Sequence, residues 1–252
     1  MIDTHCHFFD EEFKDDLEDC INRCKENGIE KIILVGFSYD TNRKAQEYSK
    51  KYGIFYPTAG VHPEECNKDY LEQFNELKEF IENNKVYAIG ECGLEYHWSV
   101  EFKDEQKELF KLQCELAIEK DLPIIIHSRD ANQDTFDIVK SFNGKLKGVM
   151  HCYGGSLELA KEYVKLGMYI SLGGPLTFKN AKEPKRVAEG IDINNLLIET
   201  DSPFLAPDPY RGKRNESSYV RFVCQKMAEI KGLSVEEVDK ITTNNAVKLF
   251  NI

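Results

Sequence analysis

The chain has 252 residues, 41% of them hydrophobic and 31% charged, with a formal net charge of −11. That is chain enough for one large core with the composition of a globular protein, and no apolar run reaches the ~18 residues of a membrane-spanning helix. The acidic balance excludes a general attraction to polyanions, so a nucleic-acid ligand would need a local basic patch or metal ions.

In chain order, the opening MIDTHCHFFDEEF lacks the basic and apolar regions of a secretory signal. A first strand at 2–4 runs into His5 and His7. One residue apart on an extended chain, both imidazoles point one way and Cys6 the other, so two ring nitrogens can reach one metal ion. Phe13, Leu17, Cys20 and Cys24 then repeat at helical spacing up to Gly28, a natural helix stop. Apolar runs at 31–37 and 54–61 follow, the second leading to His62. Tyr70, Phe74, Leu77 and Ile81 mark another helix. The run 86–91 ends on Glu91, a carboxylate that burial penalises unless a cation or several donors meet it. His97 and Trp98 come just after and could stack on a base. Leu109, Leu112 and Leu116 line the next helical face. The runs 123–127 and 148–151 end on His127 and His151, and Arg129 shares the direction of His127 with a fork suited to phosphate. Ser156 and Gly167 read as start and stop of a helix. After the run 168–172, the eighth run, 196–200, leads to Asp201, with Glu199 on the same strand face. The segment 201–216, rich in Pro, Arg and Gly, reads as a functional loop whose Arg211, Lys213 and Arg214 could supply the basic patch. Helices at 217–230 and 235–250 close the chain, the second opened by a Ser234–Glu237 capping box.

Eight near-continuous apolar runs separated by amphipathic stretches predict an α/β fold, a single-domain (β/α)8 barrel over residues 1–252, with a doubly wound sheet as the alternative. Barrel sites lie at the C-terminal ends of the strands, where five of the six histidines stand. The expected metal ligands are therefore His5, His7, Glu91, His127, His151 and Asp201. Four imidazoles and two carboxylates suit Zn²⁺, Mn²⁺ or Mg²⁺, the last least. Glu91 has two oxygens and could bridge two ions. Catalysis is expected of a two-metal-activated water, with Asp201 as general base beside Glu91. His62, Arg129, Arg211, Lys213 and Arg214 are the expected substrate contacts. The eight cysteines, irregularly spaced and without a CxxC pair, read as reduced thiols, consistent with a cytoplasmic protein; a monomer is the default expectation.

IDTHCHF at 2–8, GVHPEE at 60–65, IGECGLEYH at 89–97, IIHSRDA at 125–131, MHCYGGS at 150–156, IETDSPFLAP at 198–207 and YRGKRNE at 210–216 closely resemble, in order, the TatD family of metal-dependent deoxyribonucleases of the amidohydrolase superfamily. The resemblance implies one ion on His5, His7 and Asp201, a second on His127 and His151, and Glu91 between them. It implies 3′–5′ exonuclease-like cleavage of single-stranded DNA, with D-aminoacyl-tRNA deacylation or other amide and ester hydrolysis as the alternative. The chain departs from the family with Glu95, where Asp is common, and with Ser217, where Pro is frequent. A non-catalytic scaffold on an inactivated barrel is a third reading, disfavoured because all six ligand positions carry competent residue types.

Overall fold

The structure, a computed structural model, describes residues 1–98 and 100–252. Strands β1 (Ile2–Cys6), β2 (Lys31–Leu34) and β3 (Phe55–Pro57) form one parallel arc. Strands β4 (Ile89–Glu95), β5 (Ile124–Arg129), β6 (Gly148–Met150), β7 (Met168–Leu172) and β8 (Leu196–Ile198) form the other. The arcs meet at both edges through parallel bridges, Cys6 with Ser202 and Ala59 with Ile89. His7 N donates to Ser202 O at 2.9 Å, and Gly90 N to Ala59 O at 2.8 Å. This is the expected (β/α)8 barrel.

The helices are α1 (Leu17–Glu26), α2 (Tyr39–Lys51), α3 (Tyr70–Asn83), α4 (Lys103–Glu119), α5 (Asn132–Ser141), α6 (Leu157–Lys165), α7 (Lys182–Gly190), α8 (Val220–Lys231) and α9 (Val235–Phe250). Gly28 ends α1 at φ +72°, a conformation that costs glycine nothing. Ser156 caps α6 by accepting from Leu159 N, and Ser234 and Glu237 close a capping box on α9. Helices α2, α5 and α7 carry no strong apolar stripe in sequence. Their buried residues are few: Asn42 and Ala45 on α2, Thr135, Ile138 and Val139 on α5, and Val187 and Ala188 on α7. The last third of the chain places Ser217–Tyr219 in a short 3-10 turn, so α8 begins at Val220 rather than at Ser217. No helix of the described residues is long and apolar enough to cross a membrane.

Two apolar layers stabilise the barrel. Ile2, Ile33, Val35, Ala88, Ile125, Val149 and Leu197 fill its interior, and Ala246 and Phe250 of α9 pack on them. A larger outer layer between strands and helices takes the alternate residues, among them Cys6, Ile32, Ile89, Cys92, Ile124 and Ile126. Strict alternation from Ile2 and Ala88 would turn Cys6 and Cys92 inward and send His5, His7 and Glu91 out. The register breaks between Asp3 and Cys6 in β1 and between Ile89 and Cys92 in β4. Such irregularities re-aim side chains, and here they turn three prospective ligands toward the barrel axis.

Candidate metal centre

The six expected ligands converge. On one side of Glu91, its Oε2 lies 3.2 Å from His5 Nε2 and 3.8 Å from His7 Nε2. Those two nitrogens are 3.2 Å apart, and Asp201 Oδ1 lies 3.8 Å from the first and 3.6 Å from the second. On the other side, Glu91 Oε1 lies 3.1 Å from His127 Nδ1 and 2.8 Å from His151 Nε2, which are 3.3 Å from each other. Ligand atoms about 2.1 Å from one cation stand about 3.0–3.4 Å apart; the spacings of 3.1–3.3 Å match this, and the others lie within a few tenths of an ångström of it.

The surroundings fix ring orientation. His7 Nδ1 donates to Val35 O at 2.8 Å, which leaves Nε2 as the lone-pair nitrogen. His127 Nε2 faces Glu95 Oε2 at 3.1 Å, and His151 Nδ1 faces Glu199 Oε1 at 3.4 Å. Both carboxylates are buried. The sequence signalled Glu199 only through its two-residue spacing from Asp201, and Glu95 only as a departure from the family. Their pairing with ligand histidines is visible only in three dimensions. Asp3, fully buried, staples β1 to the segment just after β8 by accepting from Thr200 N at 2.9 Å and Thr200 Oγ1 at 2.6 Å. Burial pushes its carboxyl up to about 7 against these donors.

Electrostatics favour a cation. Burial raises the Glu91 carboxyl, but His151, His5 and His62 and the hydrogen bond from His127 outweigh it and hold it well below the usual range. Burial disfavours charge on His7, His127 and His151, yet the facing carboxylates prevail and raise all three. Burial and His151 lower His5. Without a cation, imidazolium protons must answer Glu91 and Asp201, and a divalent ion answers the same charge without them. The buried His5 Nδ1 has no hydrogen-bond partner. The donor set and its spacing therefore fit metal ions.

His62 sits beside the ligands, with Nε2 3.5 Å from Glu91 Oε1. Its Nδ1 accepts from Glu64 N at 3.2 Å, which places the ring proton on Nε2. It is thus oriented as a donor, not as a ligand. Arg129 is exposed at the end of β5, and Arg211 is exposed over the Phe178 ring at 4.2 Å. Lys213 is exposed on the same loop. Arg214 is spent elsewhere: its guanidinium grips Asp16 at 2.7 and 2.6 Å and donates to Glu12 O at 2.6 Å. Glu216 binds Arg23 at 2.6 Å, and buried Asn215 donates to Thr200 O and Phe204 O at 2.8 and 2.7 Å. The RNE segment thus anchors the loop after β8 to α1 and its approach. The hydrogen bond from Arg214 holds the Asp16 carboxyl down to about 2 from 3.8. Its contribution to stability is therefore present above pH 3.8 and lost as pH falls through about 2. Arg214→Ala should lower the melting temperature at neutral pH by about 2–4 °C, and the deficit should shrink on titration to pH ~2, read by thermal denaturation across pH.

The sequence model of the family described as TatD related DNase matches residues 2–251. YabD of Bacillus subtilis, an uncharacterized metal-dependent hydrolase, is 47% identical over 253 residues, spanning 100% of this chain and 99% of YabD. YcfH of Escherichia coli, also an uncharacterized metal-dependent hydrolase, is 33% identical over 256 residues, spanning 100% of this chain and 96% of YcfH. Among solved structures, YJJV, a TatD homolog from Escherichia coli, superposes with a TM-score of 0.94 at 30% identity, covering 100% of this chain and 98% of that one.

Proposed function

We propose that this chain, which belongs to the TatD family of metal-dependent hydrolases, is a deoxyribonuclease shortening single-stranded DNA from the 3′ end. The observation that carries hydrolysis is the division of the two Glu91 oxygens between two sets of imidazoles. His5, His7 and Asp201 would hold one divalent ion, His127 and His151 another, with Glu91 shared; Mg²⁺, Mn²⁺ or Zn²⁺ are the candidates. Bound there, such ions supply Lewis-acid charge that acidifies water and offsets negative charge developing on a phosphoryl group.

The chain's own groups do the rest. Asp201, part-exposed beside buried His5, would take the proton of an attacking water. Glu95 keeps His127 turned toward Glu91 through a hydrogen bond, and Glu199 faces His151 from behind. His62 offers Nε2–H to a phosphoryl or leaving oxygen. Arg129 at the strand end favours an anionic substrate, which the acidic chain would otherwise repel. Eight free cysteines, seven of them buried, support a reducing cytoplasmic setting, where we expect a monomer to act.

End-labelled single-stranded DNA, a D-aminoacyl ester and a small cyclic amide should be offered in parallel with each metal. Metal-stimulated shortening of the DNA from its 3′ end is expected. Turnover of the ester or amide alone would replace the nuclease reading with the alternative hydrolase.

A further inference from the structure

We propose that Trp98 and Arg129 form a nucleotide subsite on the rim of the metal centre, in which the indole stacks on a nucleobase and the guanidinium grips the adjoining phosphate. This rests on the phosphodiester reading above and gives it a point of substrate recognition.

Trp98 is the only tryptophan of the chain and is 67% exposed. An indole is among the largest apolar side chains, and leaving one in water forgoes burial that the fold otherwise exploits. Yet it is held in place. The Arg129 guanidinium lies 5.1 Å from its ring centroid, and the His97 ring meets it edge-on at 4.6 Å. His97 is itself fixed: its backbone N donates to Glu95 Oε1 at 2.6 Å, and its Nδ1 pairs with Asp130 Oδ2 at 2.8 Å. The other Glu95 oxygen faces His127 Nε2. One carboxylate therefore ties the backbone beside the indole to a metal ligand, so the platform and the centre share a frame.

Arg129 completes the subsite. It stands in register with Glu95 across β4 and β5, two residues beyond His127 on the same face of β5. Among the described residues no carboxylate pairs with its guanidinium; the neighbouring Asp130 carboxylate is taken by His97. Its N–H groups remain for an anion. A cation without a direct ion pair, at the rim of a chain of net charge −11, is what a polyanion needs to approach. Every base has a π-face, so such a platform accepts any base and rejects an abasic residue.

The lone tryptophan makes the test direct. Wild-type holoenzyme is titrated with a phosphorothioate single-stranded oligonucleotide and with the same strand abasic at its 3′-terminal residues, following indole emission. The intact strand should quench saturably, and the abasic strand should bind about tenfold or more weaker with little quenching. Trp98→Ala should raise KM for intact DNA about tenfold while sparing the abasic strand, and Trp98→Phe should restore most of it. Arg129→Gln should weaken both strands and lower the salt slope of binding by about 1. Equal quenching and affinity for the two strands, or an unchanged KM in Trp98→Ala, would overturn the subsite. Intact DNA that quenches but is never cut would uphold the subsite and remove the nuclease reading; DNA that is cut without quenching would do the reverse.

Discussion

Glu91→Gln should lower kcat by about a thousandfold or more and strip the protein of bound metal. The side chain keeps its size, so the cause would be charge and donor chemistry. Glu91 is 5% exposed and faces imidazole nitrogens of His5, His7, His62, His127 and His151 within 3.8 Å. An amide presents one acceptor and one N–H₂ donor, so one of the two imidazole sets would meet a donor instead of an anion. The uncompensated half cannot hold a cation, and the lost negative charge weakens the other. Metal content by mass spectrometry of the purified protein, read beside kcat, decides the matter. Full metal occupancy with kcat within tenfold of wild type would show that Glu91 does not link the two sets.

Asp201→Asn should leave the fold intact and lower kcat by about 10²–10⁴-fold. The choice of asparagine matters because Asp201 adopts φ +58°, a left-handed conformation that asparagine tolerates and alanine resists. The substitution therefore separates backbone strain from chemistry. Burial raises the Asp201 carboxyl, but the hydrogen bond with His7 and the charges of His151 and His5 outweigh it and hold it down. It is thus ionised and able to accept a proton at neutral pH. In the variant the acidic limb of the kcat profile should flatten while the melting temperature holds. A loss smaller than tenfold would leave Asp201 a backbone element of the loop and no more.

The site was more legible in sequence than the scaffold that aims it. His5, His127, His151 and Asp201 follow apolar runs directly, and the run-end rule brings them to one mouth because every strand is parallel. The rule overreached in the loop after β8: Arg214 belongs to charge pairs with Asp16 that position the loop, and no periodicity distinguishes an arginine gripping a carboxylate from one awaiting a phosphate. Helix α2 was hidden for a different reason. Its capping box uses Thr41 in place of the usual Glu or Gln, and the face it buries carries Asn42, whose side chain bonds Gly60 O and N. Polar burial of that kind is settled by tertiary partners. The pairing of Glu95 with His127 was equally out of reach, since it depends on β4 and β5 lying side by side in register.

The broken registers of β1 and β4 carry a consequence for how such a chain can diversify. Each of these strands keeps one phase in the half that fills the barrel and the opposite phase in the half that bears the donors. Hydrophobic packing below and ligand identity above are thereby uncoupled, so a lineage can exchange histidine or glutamate at the mouth for groups of another chemistry without re-threading the apolar half.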